Sequence, residues 1–339
     1  MIKVAINGFG RIGRISLRVI LARYQTKVKV VAVNTSGSMT IEGWAHLFEY
    51  DSVYGKFNGK VSLEKGKDEE IGVLVVNHQQ IPFLAQREPA KIPWKKYKAD
   101  VVIESTGIFR DRQSASAHLE AGAKKVIISA PAKGVETFVI GVNDDKYRGN
   151  LINNASCTTN CVASVTKVIM ENFGIQKALM TTIHAYTADQ ELVDGSHEDL
   201  RRARAAAVNI VPTSTGAAKA TTQVIPSLKG LFDGLAYRVP IICGSLADFV
   251  FLTTKRTSAE EINKVFQKAA QGKYKGIIEV SDKPLVSTDI IGRSASAIID
   301  FSLTQVIDGD LVKVVAWYDN EWGYCCRLIE EVIMVGGQR

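Results

Sequence analysis

Ile2-Lys3-Val4-Ala5-Ile6-Asn7-Gly8-Phe9-Gly10-Arg11-Ile12-Gly13-Arg14 follows Met1 directly, and its reading decides the fold. Ile2 to Asn7 reads as a short buried strand. Ile15 to Tyr24 carries apolar residues at helical spacing. Gly8-x-Gly10-x-x-Gly13 therefore lies between a strand and a helix, the context that makes this spacing a dinucleotide fingerprint. Gly8 permits the tight turn. Gly10 lets the backbone approach a pyrophosphate, Gly13 lets the helix pack on the strand, and the helix N-terminus receives the anion.

Outward from the fingerprint, strands and helices alternate. Val28 to Asn34 is a second strand, and Ile71 to Asn77 with Ile81 to Ala85 form a hairpin expected to turn at Gln79-Gln80. Val101 to Gly107 is an apolar strand ending in small residues. Ser114 to Ala121 is a helix and Lys125 to Ser129 a further strand. This alternation predicts an α/β fold with a doubly wound parallel sheet. Strand ends at Gly8, Asn34, Thr106 and Ser129 are expected to open on one cofactor crevice.

A second motif is Ala155-Ser156-Cys157-Thr158-Thr159-Asn160-Cys161, a cysteine among small polar residues before the helical run Val162 to Phe173. A thiol at a helix N-terminus faces unpaired N–H groups that favour the thiolate, the form that attacks a carbonyl carbon. A lone cysteine in such a place is more often buried and inert. The fingerprint reverses those odds, and so does His184, which ends the strand-like run Lys177 to His184 and supplies an imidazole for proton transfer. Beyond it lie a long polar loop, 185 to 209, a helix from Ala217 to Ile225, and strands near Leu235 to Pro240, Ser245 to Thr254, Ser296 to Leu303 and Leu311 to Tyr318. These predict an α+β catalytic domain of antiparallel strands with helices on one face. The expected division is a dinucleotide-binding domain over 1–156, rejoined by a C-terminal helix at 323–339, and a catalytic domain over 157–322.

With these motifs on hand, the chain resembles the phosphorylating glyceraldehyde-3-phosphate dehydrogenases over essentially its whole length. The resemblance rests on Asn7 to Arg14, Ser105-Thr106-Gly107, Ser129-Ala130-Pro131, the Cys157 motif, His184 to Gln190, Asp199 to Ala207, Thr213 to Lys219 and Trp317 to Tyr324. It implies that Cys157 forms a thioester and that His184 polarises the thiol and handles protons. It places a substrate phosphate near Thr187, Asp189 and Arg238, and inorganic phosphate near Ser156, Thr158, Thr215, Gly216 and Arg202. At least one arginine of Arg201-Arg202-Ala203-Arg204 is expected to be structural. The cofactor group is Asn7, Gly8, Gly10, Arg11, Ile12, Gly13, Asn34, Thr35, Arg87, Thr106, Gly107, Ser129, Ser196, Asn320 and Tyr324. The resemblance also implies a homotetramer in which the loop 185–209 lines a neighbour's cofactor site.

Two departures from the family bear on function. Where NAD-specific relatives carry an acid after the second strand, this chain reads Val33-Asn34-Thr35-Ser36-Gly37-Ser38. An acid there would repel the 2′-phosphate of NADP. In the long loop, Asp194-Gly195-Ser196-His197 resembles the photosynthetic, NADP-using branch, whose serine reaches the 2′-phosphate from the adjacent subunit. NADP, or both NADP and NAD, is thus expected. Pro240-Ile241-Ile242-Cys243-Gly244-Ser245-Leu246 also differs from the usual run after Arg238, with Cys243 expected to be buried. The rival readings are an erythrose-4-phosphate dehydrogenase, set second because Thr215 to Lys219 is retained, and a cofactor-gated nucleic-acid or protein binder.

Composition bounds the rest. The chain of 339 residues is 46% hydrophobic and 23% charged, ordinary for a globular protein of two domains. No apolar run approaches the roughly 20 residues of a membrane helix, and Met1 leads into a strand without a leader pattern. Five scattered cysteines fit a reducing, cytoplasmic setting rather than a disulfide framework. No Cys/His spacing suits a metal. The net charge of +7 suits anionic small molecules. Basic residues are interleaved with acids, so no dedicated nucleic-acid surface is expected; the densest cluster, Lys95-Lys96-Tyr97-Lys98, reads as a solvated face.

Overall fold

The computed structural model describes residues 1–337. Two compact units emerge. One comprises Met1–Thr137, Tyr147–Asn154 and the segment from Cys325; the other comprises Phe138–Lys146 and Ala155–Tyr324. Residues 338 and 339 of the expected C-terminal helix lie outside the described residues.

In the first unit the strands are β1 (Ile2–Asn7), β2 (Val28–Asn34), β3 (Val61–Glu64), β4 (Glu70–Val76), β5 (Gln79–Leu84), β6 (Val101–Glu104), β7 (Lys125–Ile128), β8 (Glu136–Thr137) and β9 (Leu151–Asn153). They form one sheet in the order β3-β4-β5-β2-β1-β6-β7-β9-β8. The β2-β1-β6-β7-β9 centre is parallel, and only β3-β4-β5 run antiparallel among the described residues. The parallel strands are apolar on both faces, as coverage by helices demands. Helices α1 (Arg11–Val19), α2 (Ile41–Glu49), α3 (Trp94–Tyr97) and α4 (Arg112–Glu120) belong to this unit. α1 continues into a π-helical stretch, Ile20–Tyr24, rather than running as one α-helix. The hairpin turns at Asn77-His78, both with positive φ (47° and 72°), and not at Gln79-Gln80. Two left-handed residues give the turn whose twist matches a two-residue hairpin.

In the second unit α5 (Cys157–Phe173), α6 (Ala217–Val224) and α7 (Ala259–Gln271) accompany β10 (Lys177–Ala185), β11 (Val211–Ser214), β12 (Phe232–Val239), β13 (Ser245–Leu252), β14 (Ile278–Ser281), β15 (Ala297–Asp300), β16 (Gln305–Ile307) and β17 (Leu311–Tyr318). The sheet order is β11-β12-β10-β13-β17-β15-β14, with β16 on β17. The sheet is mixed rather than antiparallel: β10 and β12 are parallel, as are β14 and β15. Their connections are long enough to carry a helix, which allows a parallel return. α7 went unread in the sequence, although Ser258 and Glu261 carry the capping signal; the Ser258 hydroxyl accepts from the Glu261 N–H. Val162, Val165 and Ile169 of α5 join Phe249, Phe251, Val312 and Val314 in one core. The strands alternate, so the opposite face presents Leu179 (65% exposed), Leu235, Val250 and Leu311 to solvent. The last helix, α8 (Trp322–Gly337), contributes its part from Cys325 to the first unit, where Glu330 accepts from the Tyr24 hydroxyl at 2.7 Å. Among the described residues no helix is long and apolar enough to cross a membrane.

Candidate active site

The dinucleotide crevice lies within the first unit, at the C-terminal ends of the parallel strands. Gly8 has φ +96°, and a Cβ there would sit 2.7 Å from backbone atoms of Ser105 and Thr106. On Gly13 it would sit 2.0 Å from the Gly8 carbonyl oxygen, so this crossing admits no side chain. A Cβ on Gly10 would meet nothing within 4 Å; the backbone there stands open to a bound anion. Gly10 caps α1 without a side-chain hydrogen bond. A cavity of about 480 Å³ is lined by Asn7, Gly8, Gly10, Asn34, Thr35, Ser36, Arg87 and Thr106, with Trp44 and Phe109 among its apolar walls. Among the described lining residues there is one cation, Arg87, and no carboxylate. This donor set, with its glycine cradle, fits a dinucleotide, and Arg87 fits an added phosphate.

The other cofactor candidates fall into four groups. Arg11 turns its side chain to Asp51 at 2.6 Å, and the Ile12 carbonyl accepts from the Cys325 thiol at 3.7 Å. Gly107 has φ +75° just past Thr106, and Ser129 follows β7 with its N–H on the Glu104 carbonyl. Asn320 and Tyr324 belong to the second unit. There the Asn320 side-chain oxygen accepts from Gly244 N–H and the Ser245 hydroxyl, and the Tyr324 hydroxyl donates to the Ala155 carbonyl at 3.4 Å. Ser196 is exposed on the long loop.

At the rim Thr35 is buried, and its hydroxyl donates to the Leu84 carbonyl at 3.1 Å. Next to it, the exposed Ser36 hydroxyl donates to Ser38 at 2.9 Å, while Arg87 Nε donates to the Ser36 carbonyl at 3.1 Å. Ser36 and Arg87 are thus the polar groups at this end. Elsewhere on the unit Lys96, in the densest basic cluster, is paired with Asp68 and Glu69.

The second unit places a thiol beside an imidazole. Ala155 is fully buried with φ +52°, a strained conformation for a residue with a side chain. It directs Ser156 into the N-cap of α5, where the Ser156 hydroxyl accepts from Thr159 N–H at 3.1 Å. The helix therefore begins at Cys157, five residues before the apolar run suggested, because the cap sets the start. Cys157 Sγ lies 3.4 Å from His184 Nε2. His184 Nδ1 lies 2.6 Å from the Ala185 carbonyl, an acceptor, and 3.1 Å from Arg238 Nη1, a donor; the shorter contact favours the proton on Nδ1, with Nε2 the acceptor facing the sulfur. Arg238 Nη1 donates to Ala185 O at 3.2 Å and to Thr187 Oγ1 at 3.3 Å, placing its charge beside the imidazole. Arg238 Nε is buried without a hydrogen-bond partner. Tyr318, which the sequence reading did not single out, stands edge-on to His184 and links Thr158 (3.0 Å) to Thr182 (2.7 Å) through its hydroxyl. A buried tyrosine within the Trp317 to Tyr324 motif was the available signal.

Burial opposes the thiolate expected at this helix start. Burial pushes the Cys157 thiol up, opposed by Arg238, the Thr158 hydroxyl and the backbone N–H groups of Thr158 and Cys157. Burial, reinforced by Arg238, lowers His184 to about 3. Burial thus acts against the thiolate that the helix terminus favours and against a charge on the imidazole. The pair holds a proton to transfer when a carbonyl arrives.

The phosphate candidates separate. Thr215 accepts from Ala217 N–H at 3.2 Å, which leaves its own proton to donate, and Gly216 caps α6 with open space at its Cβ position. Arg202 forms an ion pair with Asp189 and donates to Thr213 (2.9 Å) and the Ser214 carbonyl (3.1 Å). Two residues assigned to different phosphates are thus paired with each other.

Two family profiles match: "Glyceraldehyde 3-phosphate dehydrogenase, NAD binding domain" over residues 2–112 and "Glyceraldehyde 3-phosphate dehydrogenase, C-terminal domain" over residues 156–320. The chain belongs to the glyceraldehyde-3-phosphate dehydrogenase family. It is an NAD(P)-dependent dehydrogenase. It is 54% identical to the glyceraldehyde-3-phosphate dehydrogenase of Mycobacterium tuberculosis, over 99% of this chain and 98% of the relative. It is 48% identical to glyceraldehyde-3-phosphate dehydrogenase 2 of Streptomyces avermitilis, over 99% of both chains. It is 50% identical to the chloroplastic glyceraldehyde-3-phosphate dehydrogenase B of Pisum sativum, over 99% of this chain and 74% of the relative.

Proposed function

We propose that this family member oxidises glyceraldehyde 3-phosphate in the presence of inorganic phosphate to 1,3-bisphosphoglycerate, through a Cys157 thioester, and that it uses NADP in preference to NAD. The 3.4 Å contact between Cys157 Sγ and the acceptor nitrogen of His184 carries the chemistry. His184 Nε2 takes the thiol proton as sulfur bonds to the aldehyde carbon, and returns it to the new oxyanion to give a thiohemiacetal. Bound NAD(P) supplies one function, acceptance of the hydride that leaves that carbon. His184 removes the hydroxyl proton in the same step, leaving the thioester. A phosphate oxygen then attacks the acyl carbon, the C–S bond breaks, and His184 returns a proton to sulfur. Arg238 and Thr187 suit the substrate phosphate; Thr215 and the Gly216 cap suit the attacking phosphate. Reduction of NADP followed at 340 nm should require both aldehyde and phosphate. Reduction that proceeds equally without phosphate would refute the phosphorylating reaction.

The cofactor preference rests on the lack of an acid among the described cavity-lining residues, on Arg87, and on the likeness to a relative named chloroplastic. An aspartate at position 35 cannot donate to the Leu84 carbonyl as Thr35 does, so its carboxylate turns to the cavity. Thr35→Asp is therefore expected to repel a 2′-phosphate and grip the ribose of NAD. A lost hydrogen bond to a charged group is worth about 1.5–3 kcal/mol, roughly a ten- to hundredfold fall in the NADP/NAD ratio of kcat/KM. Arg87→Ala should lower the same ratio. A wild type that strongly prefers NAD, or ratios that stay put, would sink the preference.

A homotetramer is part of the same reading. Leu192, Val193, Leu200 and Val208 on the long loop, Ile210 just after it, and Leu179 and Val250 on the sheet are exposed apolar residues that a subunit interface would cover. In such an assembly Ser196 would reach a neighbour's cofactor site. Light scattering should give four times the 37.0 kDa chain mass; an active monomer would contradict it.

A further inference from the structure

Beneath the dinucleotide crevice runs a polar chain that the reaction scheme leaves unused. Glu104, at the C-terminal end of β6, is 1% exposed, and its carboxylate accepts from four groups. Oε1 accepts from the Thr106 N–H at 2.7 Å and from the Thr106 hydroxyl. Oε2 accepts from Asn7 Nδ2 at 2.5 Å and faces His118 Nε2 at 2.9 Å. Trp94 Nε1 donates to His118 Nδ1 at 3.0 Å, which fixes the tautomer with its proton on Nε2, pointing at Glu104. Trp94 and His118 are both fully buried, so no water competes for these bonds.

A carboxylate accepts and does not donate. Asn7 must therefore turn its amide nitrogen to Glu104, which turns Asn7 Oδ1 to Asn34 Nδ2 at 2.7 Å. Asn34 in turn presents Oδ1 to the Gln86 N–H at 2.9 Å and Nδ2 to the Gln86 carbonyl at 2.8 Å. One acceptor thus orders two side-chain amides across the ends of β6, β1 and β2, and ends beside Arg87. Asn7, Asn34, Gln86 and Thr106 all line the crevice, whereas Glu104 does not.

We infer that Glu104 is a positioning residue for the dinucleotide: its buried carboxylate, held by His118 and Trp94, sets which way the amide and hydroxyl groups of the crevice floor point. This deepens the dinucleotide reading and rests on it. Glu104→Gln keeps the shape but replaces one acceptor by a donor. With Trp94 holding the His118 tautomer, that donor faces either Thr106 N–H or the Asn7 and His118 N–H groups. Relief requires Asn7 to flip, then Asn34, until an Asn34 donor meets the Gln86 N–H.

The test uses the full-length enzyme and calorimetric titration with NADP and NAD. The wild type should bind, and Glu104→Gln should bind both ten- to hundredfold more weakly. In steady state the KM for cofactor should rise to match, with kcat at saturating cofactor and the KM for aldehyde within about twofold of wild type. A loss of stability alone would not split the constants in this way. His118→Leu removes one of the four donors and should weaken binding in the same direction by less; it serves if Glu104→Gln does not fold. Wild-type binding with unchanged dissociation constants in the folded variants overturns the role of Glu104. A wild type that binds neither cofactor overturns the dinucleotide reading as well.

Discussion

Replacing Cys157 with serine is expected to reduce turnover by roughly 10⁴–10⁶, the scale seen when a covalent nucleophile is removed from an otherwise intact site. The change substitutes one small group for another at the first position of α5, next to a cap made by Ser156 and not by Cys157. Fold and cofactor affinity should therefore be retained. The loss is chemical. A hydroxyl ionises several units above a thiol, and His184, lowered to about 3 by burial and Arg238, is a weak base for so poor an acid. Single-turnover measurements should show no rapid reduction of cofactor and no acyl-enzyme by mass spectrometry. A burst of hydride transfer in this variant would remove Cys157 from the mechanism.

His184→Asn is expected to cost about 10²–10⁴ in kcat, the usual contribution of a positioned acid–base group. Asparagine keeps a polar group in the strand but offers no nitrogen to take the proton from sulfur. Two effects can be separated. In turnover, attack and thioester formation should both slow, because both move a proton through Nε2. In the resting enzyme the sulfur loses its acceptor at 3.4 Å. Arg238, the Thr158 hydroxyl and the backbone N–H groups oppose the effect of burial on the thiol as before. Iodoacetamide alkylation of the variant should accordingly need higher pH: with no nitrogen to take the thiol proton, sulfur reacts only once it ionises, and burial opposes that ionisation. An alkylation profile identical to wild type would mean that His184 is not the proton acceptor of Cys157.

These two residues also show how far reading the sequence reaches. Cys157 was legible because its environment is local: a Ser cap, a small polar turn and a helix start all lie within a few residues of it. The same holds for the glycines. A backbone that must take φ +96° at Gly8, or pass within contact of a carbonyl at Gly13, declares itself in residue type. His184 was legible as a candidate, but its distance from the sulfur was not, because β10 must first pair with β12 and β13 to bring it there. Missed altogether were α7 and the parallel pairing of β10 with β12. The apolar face of Ala259–Gln271 is sparse, with Ile262 and Phe266 its buried residues, and strand direction depends on connections that a local pattern does not encode.

By itself the sequence determined the family, the alternating α/β order of the first unit and the glycine turn, and it marked Cys157 as the candidate nucleophile, since each rests on short-range constraints of backbone angle, capping and periodicity. The tertiary structure alone decided three other things. The Thr35 hydroxyl turns to Leu84. Desolvation by the surrounding chain opposes the helix terminus at Cys157. A carboxylate at position 104 meets an amide at position 7 and an imidazole at position 118. Each depends on which groups from distant parts of the chain share one dry volume. In such a volume hydrogen-bond direction and charge are set by neighbours in space and not by neighbours in the chain.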